Sequence, residues 1–208
     1  VKHLTFAEAY ELTYFGAKVL HPGTMHPAEA KQIPIDILNS KDPGAGGTRV
    51  SIAAPGGKPA VKSVTFRKDL SLLTLTPLHR HGQYIFWEHL FGVLTERRAE
   101  ALLMNTAEYR TALVMKSVDA VDDVREALKD VCLAEIRHSK ALVCAVGENI
   151  ARINGLPERF IRSIGDQPVH FLSAGPSPNA LAAVIESDTV EETVRRAHNE
   201  FFGDAGPR

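Results

Sequence analysis

Cysteine is scarce in this chain: Cys132 and Cys144 are the two present in 208 residues. So few thiols exclude a disulfide framework, and in apolar surroundings they fit a reducing compartment and buried packing roles. No stretch reaches the roughly 18 apolar residues of a membrane span. The first residues carry no basic segment leading into an apolar run, so no secretory leader is expected there. Neither charge sign dominates, with 24 Lys and Arg against 25 Asp and Glu. Charges are mixed along the chain without a long block of one sign, which gives no footprint for nucleic acid. Also missing are a Ser-His-Asp order and a nucleophile elbow. His79, His81 and His89 lack a third ligand of fixed spacing, and Arg80 opposes a cation between the first two, so no metal is expected.

What is present is ordered. Thr5-Phe6-Ala7-Glu8 has the spacing of a capping box, with Thr5 as N-cap and Glu8 reaching back. Phe6, Tyr10, Thr13, Ala17 and Leu20 follow at helical steps, which predicts one helix ended by His21-Pro22-Gly23. Residues 33–38 form a β-branched run that reads as a strand. A glycine-rich loop, Gly44-Ala45-Gly46-Gly47-Thr48, comes next. It is no phosphate-binding P-loop, because no Gly-Lys-Ser/Thr and no helical pattern follow it. It reads as a tight interdomain connection, and 54–59 as a linker.

Beyond the linker, alternation and helical periodicity predict strands at 61–67 and 72–76, a helix at 85–94, and strands at 101–106 and 111–116. A helix at 121–131 and strands at 133–138 and 141–146 follow. The last elements are a helix at 157–164, strands at 169–173 and 180–186, and a helix at 189–202. Residues 71–138 thus spell βαββαβ, one ferredoxin-like unit. Residues 141–202 spell βαββα and lack a fourth strand. The strand at 61–67 has no other home, so it is expected to complete the second sheet, with the first unit inserted in the second.

Several motifs resemble those of aspartate kinases, enzymes of the amino acid kinase fold. They are Gly16-Ala17-Lys18-Val19-Leu20-His21-Pro22, Ser40-Lys41-Asp42-Pro43-Gly44-Ala45-Gly46-Gly47-Thr48, Phe91-Gly92-Val93-Leu94 and His198-Asn199-Glu200-Phe201-Phe202. The resemblance implies an α+β chain. Residues 1–55 would be the last helix–strand piece of the catalytic domain. Residues 70–138 would form one ACT domain, inserted in another made of 61–69 plus 139–203. It also implies a cytoplasmic homodimer paired through its ACT domains, because open sheet edges are satisfied by other strands. The parent reaction would use ATP, Mg²⁺ and aspartate. Lys18 and Val19 would contact the nucleotide, the lysine offsetting phosphate charge. No catalytic residue is assigned here. The family's Lys-Phe-Gly-Gly phosphate loop is absent from these residues, so this polypeptide is expected to be inactive alone.

The resemblance further implies an amino acid effector at the loop after the first ACT strand, with Arg80, Gln83, Ile85, Phe86, Trp87 and Glu108 as candidate contacts. Helix amides would receive its carboxylate. Ile85 stands where the family has a glycine, and Ala101-Leu102 where lysine-sensing members have Val-Asp, so weak or no lysine binding is expected. Gly175-Pro176-Ser177 is the corresponding small-residue turn of the second unit, with Ser177 as a turn cap. Two other readings stand beside this one: a stand-alone ACT module that binds an amino acid, and a structural ACT pair in a bifunctional fusion.

Overall fold

The capping box forms as expected and starts the chain's first helix. A short strand β1 (His3–Thr5) leads into α1 (Phe6–Tyr14). The Thr5 hydroxyl accepts from the Glu8 amide, and the Thr5 amide donates to Glu8 Oε2 at 2.7 Å. Glu8 is fully buried, and Lys62 Nζ meets the same Oε2 at 2.9 Å. In this computed structural model the described residues are 1–17, 20–53, 59–79, 82–116 and 118–203.

The helix expected over residues 5–20 is shorter than its periodicity suggests. Gly16 takes a left-handed φ of +121°. The amides of Gly16 and Ala17 then close on the carbonyls of Thr13 and Leu12, a Schellman ending. A Cβ at Gly16 would lie 2.6 Å from the Phe66 carbonyl oxygen, so the chain turns where only glycine fits. Pro22 does not end a helix but opens one. In α2 (Pro22–Ala30), His21 is the N-cap, its Nδ1 accepting the Gly23 amide at 3.1 Å. Proline at the first helical turn loses no needed donor.

The glycine-rich stretch is also more than a connection. After β2 (Ile35–Leu38) and one 3₁₀ turn, it enters β3 (Gly47–Ser51), the middle strand of the sheet β1-β3-β2. β3 is parallel to β1 and antiparallel to β2. A Cβ at Gly47 would fall 2.1 Å from the Ile37 carbonyl oxygen.

The remaining elements are β4 (Ser63–Pro77), α3 (Gln83–Glu96), β5 (Ala101–Ala107), β6 (Arg110–Met115), α4 (Val118–Ala127), β7 (Cys132–Val146), α5 (Leu156–Ile164), β8 (Phe171–Ala174), β9 (Ala180–Glu186) and α6 (Val190–Phe202). Four expected strands are therefore two long ones, β4 and β7. The alternation breaks at Asp69 and Ser139, and both residues adopt left-handed backbone, with φ of 59° and 55°. A single such residue re-aims a strand without ending it.

Contacts divide the chain into two compact units. The smaller comprises Lys68–Ala141 and Glu186–Asp188. The larger holds Val1–Arg67, Leu142–Ile185 and the described chain from Thr189. In the smaller unit the strand order is β5-β6-β4-β7. Its core is built from Leu73, Leu75, Phe86, Leu90, Leu113, Met115, Val121, Val124, Leu128 and Cys132. In the larger unit the first part of β4 neighbours the second part of β7, followed by β9 and β8. The Lys62 amide donates to the Val146 carbonyl at 2.8 Å there. Residues 63–67 thus fill the fourth-strand place of the second ferredoxin-like sheet. Phe160, Ile164, Val190 and Ala197 supply its buried helical faces.

Candidate effector site

In the smaller unit, three segments converge at one end of the sheet. β4 ends at Thr76 and Pro77, α3 begins at Gln83, and the two-residue turn Glu108-Tyr109 joins β5 to β6. Together with His79 and Arg110 they enclose a cavity of about 320 Å³. Gln83 Nε2 donates to the Ala107 carbonyl at 3.1 Å, fixing the start of α3 against the turn. Gly82, the N-cap, has φ 102° and offers no side-chain cap. First-turn amides of α3 therefore lack an internal partner, as at any uncapped helix start, and favour a negative group.

The turn carries the site's charge. The Tyr109 hydroxyl donates to Glu108 Oε1 in a short hydrogen bond. That bond, and then the carboxylate's charge, raise the Tyr109 phenol above its ordinary value. Arg110 on the next residue lines the same cavity. A carboxylate, a guanidinium and the amides of an uncapped helix start can together hold a zwitterion.

Of the sequence candidates, Gln83 and Glu108 are brought together here. Lys18, Val19 and Arg80 lie outside the described residues. Ile85 is 61% exposed and does not line the cavity. Phe86 belongs to the core, and Trp87 packs against it. The Trp87 indole N–H donates to Thr111 Oγ1 at 3.3 Å, and its ring meets Tyr84 edge-on at 5.4 Å. These aromatics therefore serve packing. Leu102 is buried and distant from the cavity. Ala101 pairs with Met115, whereas Thr106 pairs with Thr111, so the two ends of β5 are about 17 Å apart. Tyr109 and Arg110 escaped sequence reasoning. The signal for them was the turn itself, two polar residues between alternating runs.

A wider cavity of about 660 Å³ flanks the glycine-rich loop in the larger unit, with Lys2, Asp36, Gly46, Gly47 and Arg49 in its walls. Arg49 faces Asp36 there at 3.8 Å.

No family model matches the chain. Among curated proteins it is 28% identical to the lysine-sensitive aspartokinase 3 of Escherichia coli, over 97% of this chain and 46% of that protein. It is 27% identical to the chloroplastic aspartokinase 3 of Arabidopsis thaliana, over 97% of this chain and 38% of that protein. The structure of E. coli aspartokinase III with aspartate and ADP superposes with a TM-score of 0.86, at 28% identity, across 97% of this chain and 47% of that one. The chain is thus similar to aspartokinases along nearly its whole length. It spans less than half the length of these relatives. The regulatory subunit of aspartate kinase from Thermus thermophilus shares the fold, with a TM-score of 0.58 over 68% of this chain. The α+β plan with ferredoxin-like ACT units is thus that of the aspartokinase regulatory region.

Proposed function

We propose that this chain is the regulatory end of an aspartate kinase. That enzyme moves the γ-phosphoryl group of ATP, with Mg²⁺, to the β-carboxylate of L-aspartate, the first step towards lysine, threonine and methionine. The observation that carries the reading is similarity to aspartokinases along 97% of the chain. Lys18 and Val19 contact the nucleotide in the whole enzyme, which works as a cytoplasmic homodimer paired through the ACT units. Phosphoryl transfer depends on positioning and charge stabilisation, and the groups that supply most of it are not among these residues.

The cavity beside Gln83 and Glu108 is the effector site. E. coli aspartokinase III has been solved with lysine and aspartate bound. Here the α-carboxylate of an amino acid is received by the first-turn amides of α3 and by Arg110, and its ammonium by Glu108. The described lining holds no second acid for a side-chain ammonium. Burying that ammonium unpaired costs several kcal/mol, roughly, so lysine binds more weakly than a neutral amino acid.

Three measurements test this. A hydroxamate assay on the 208-residue polypeptide should give no turnover. A chimaera carrying this chain in place of the matching part of the E. coli enzyme should be active and lose ATP affinity on Lys18→Ala. Calorimetry with individual amino acids should rank lysine below a neutral effector such as threonine. A chimaera that folds but never turns over would sink the kinase reading, and micromolar lysine binding would sink the ligand ranking.

A further inference from the structure

The run Gly16-Ala17-Lys18-Val19-Leu20-His21-Pro22 leaves α1 and enters α2. Two residues of it, on either side of Lys18 and Val19, are tied back to the last turn of α1. The Ala17 amide donates to the Leu12 carbonyl at 2.8 Å. The Leu20 carbonyl accepts from the hydroxyl of Thr13 at 3.1 Å. Leu12 and Thr13 are consecutive, so one point on the helix holds both ends of the segment that contains Lys18 and Val19.

Thr13 does more here than a helical threonine usually does. Its hydroxyl lies 2.9 Å from the Ala9 carbonyl, the ordinary partner four residues back. A hydroxyl carries one proton, so the Ala9 and Leu20 carbonyls share it in a three-centre bond. The Ala9 bond is local to the helix, whereas the Leu20 bond closes a loop. Neighbouring groups are fixed without it. A Cβ at Gly16 would meet the Phe66 carbonyl oxygen at 2.6 Å, which sets the exit from α1. His21 caps α2 through Nδ1, and its carbonyl accepts the Thr24 amide at 2.9 Å. The Tyr10 hydroxyl bonds the Glu29 side chain, joining the two helices. Removing the Thr13 hydroxyl therefore frees one end of the segment and leaves the helices in place.

We propose that Thr13 is a positioning residue for the nucleotide. It touches no ligand; its hydroxyl fixes Leu20, and through Leu20 the segment that carries Lys18 and Val19. Tying both ends of a short segment lowers the entropy it must lose on binding, which is pre-organisation. The inference rests on the reading of Lys18 and Val19 as nucleotide contacts, and it adds a residue that the motif itself does not include.

Thr13→Val keeps the shape of the side chain and removes its proton, and Thr13→Ser keeps the hydroxyl. In the chimaera with the E. coli enzyme, Thr13→Val should raise the KM for ATP at least fivefold. The KM for aspartate and kcat should stay within twofold of the parent, the pattern of lost binding rather than lost chemistry. Thr13→Ser should restore the parent KM for ATP, and a merely structural role would not give that split. Hydrogen exchange on the 208-residue chain reads the same tie without turnover. The Ala17 amide should exchange at least threefold faster in Thr13→Val than in the parent or Thr13→Ser, while Val143 and Val184 stay protected. Unchanged exchange at Ala17 would overturn the proposal. An active chimaera whose KM for ATP ignores Thr13→Val would overturn it too, and would leave the kinase reading standing. A folded parent chimaera without turnover would instead sink the kinase reading, and this inference with it.

Discussion

In the smaller unit, the loop between β4 and α3 and the turn between β5 and β6 leave a cavity walled by His79, Glu108 and Arg110. In the larger unit, the matching loop and turn are stitched together through Asn179 over an apolar pocket. Both units use the same supports, since α3 and α5 each start at a left-handed glycine with no side-chain cap, Gly82 and Gly155. The helix starts are therefore alike in the two units. The difference lies at the turns, charged and polar residues at Glu108–Arg110 in one unit and Asn179 bonded to the Asn149 amide in the other.

The strongest way to break this comparison is to remove the aromatic each helix buries. Phe160 is fully buried, and Phe86 is 7% exposed. Truncating a buried phenylalanine costs about 3–5 kcal/mol. Urea unfolding of Phe160→Ala and Phe86→Ala should show losses in that range, with Phe86→Ala at the lower end. A Phe86→Ala variant that loses ligand binding without losing stability would return Phe86 to the site, where sequence reasoning first put it.

A smaller effect concerns the two thiols of β7, Cys132 in one unit and Cys144 in the other. Burial pushes the Cys132 thiol up to about 11. It raises Cys144 well above its ordinary value, with the charge of Glu11 adding to the shift. Folding thus favours the protonated thiols. Their contribution is complete below the unfolded value of roughly 8.5 and is lost as pH rises through the folded values. Stability should decline above about pH 9. Iodoacetamide should leave both cysteines unmodified at neutral pH, and Cys132 should react before Cys144 on raising the pH. Reaction at neutral pH in the folded chain would contradict their burial.

Glycine caps come next. Gly82→Ala and Gly155→Ala each force a Cβ into left-handed backbone, at a cost of about 1–2 kcal/mol. The two losses should be similar, because neither site has a contact closer than 3.4 Å. A much larger loss at one of them would mean that the two loops are not built alike.

Much of this plan was legible in the chain. The α-helices and strands of the ferredoxin-like units were marked by periodicity, and the orphan strand could be placed by counting. What failed were features set by backbone geometry. Asp69 and Ser139 look like strand ends because they are polar and break alternation, yet they only turn β4 and β7. Gly16 stops α1 through its close approach to Phe66, a tertiary fact invisible to a helical wheel. α2 was hidden because proline reads as a terminator until a cap precedes it. Of the effector contacts that the resemblance implied, Gln83 and Glu108 line the cavity. Phe86 lies in the core and Trp87 packs against it; an aromatic beside a loop looks the same in sequence whether it faces a ligand or a core. Tyr109 and Arg110 line the same cavity, and turn residues carry no periodic signal that would single them out.

The smallest stability effect is the sharpest probe of the sensing side. Tyr109 and Glu108 are both exposed, so Tyr109→Phe should change stability by no more than about 0.5 kcal/mol. Its ligand affinity should nonetheless move. The Tyr109 hydroxyl occupies Glu108 Oε1, and removing it leaves that oxygen open to a ligand ammonium, which should tighten binding a few-fold. Glu108→Gln removes the charge and should weaken binding at least tenfold. The phenol reports on the same bond. Its pKa is raised by Glu108, so any stabilisation it gives is present below the ordinary value near 10 and fades as pH rises through the higher folded value. Ultraviolet titration of Glu108→Gln should show the Tyr109 midpoint falling back towards that ordinary value. A midpoint that does not move would mean the Tyr109–Glu108 bond does not form in solution. Glu108 would then face the cavity with both oxygens free, and Tyr109→Phe should leave affinity unchanged.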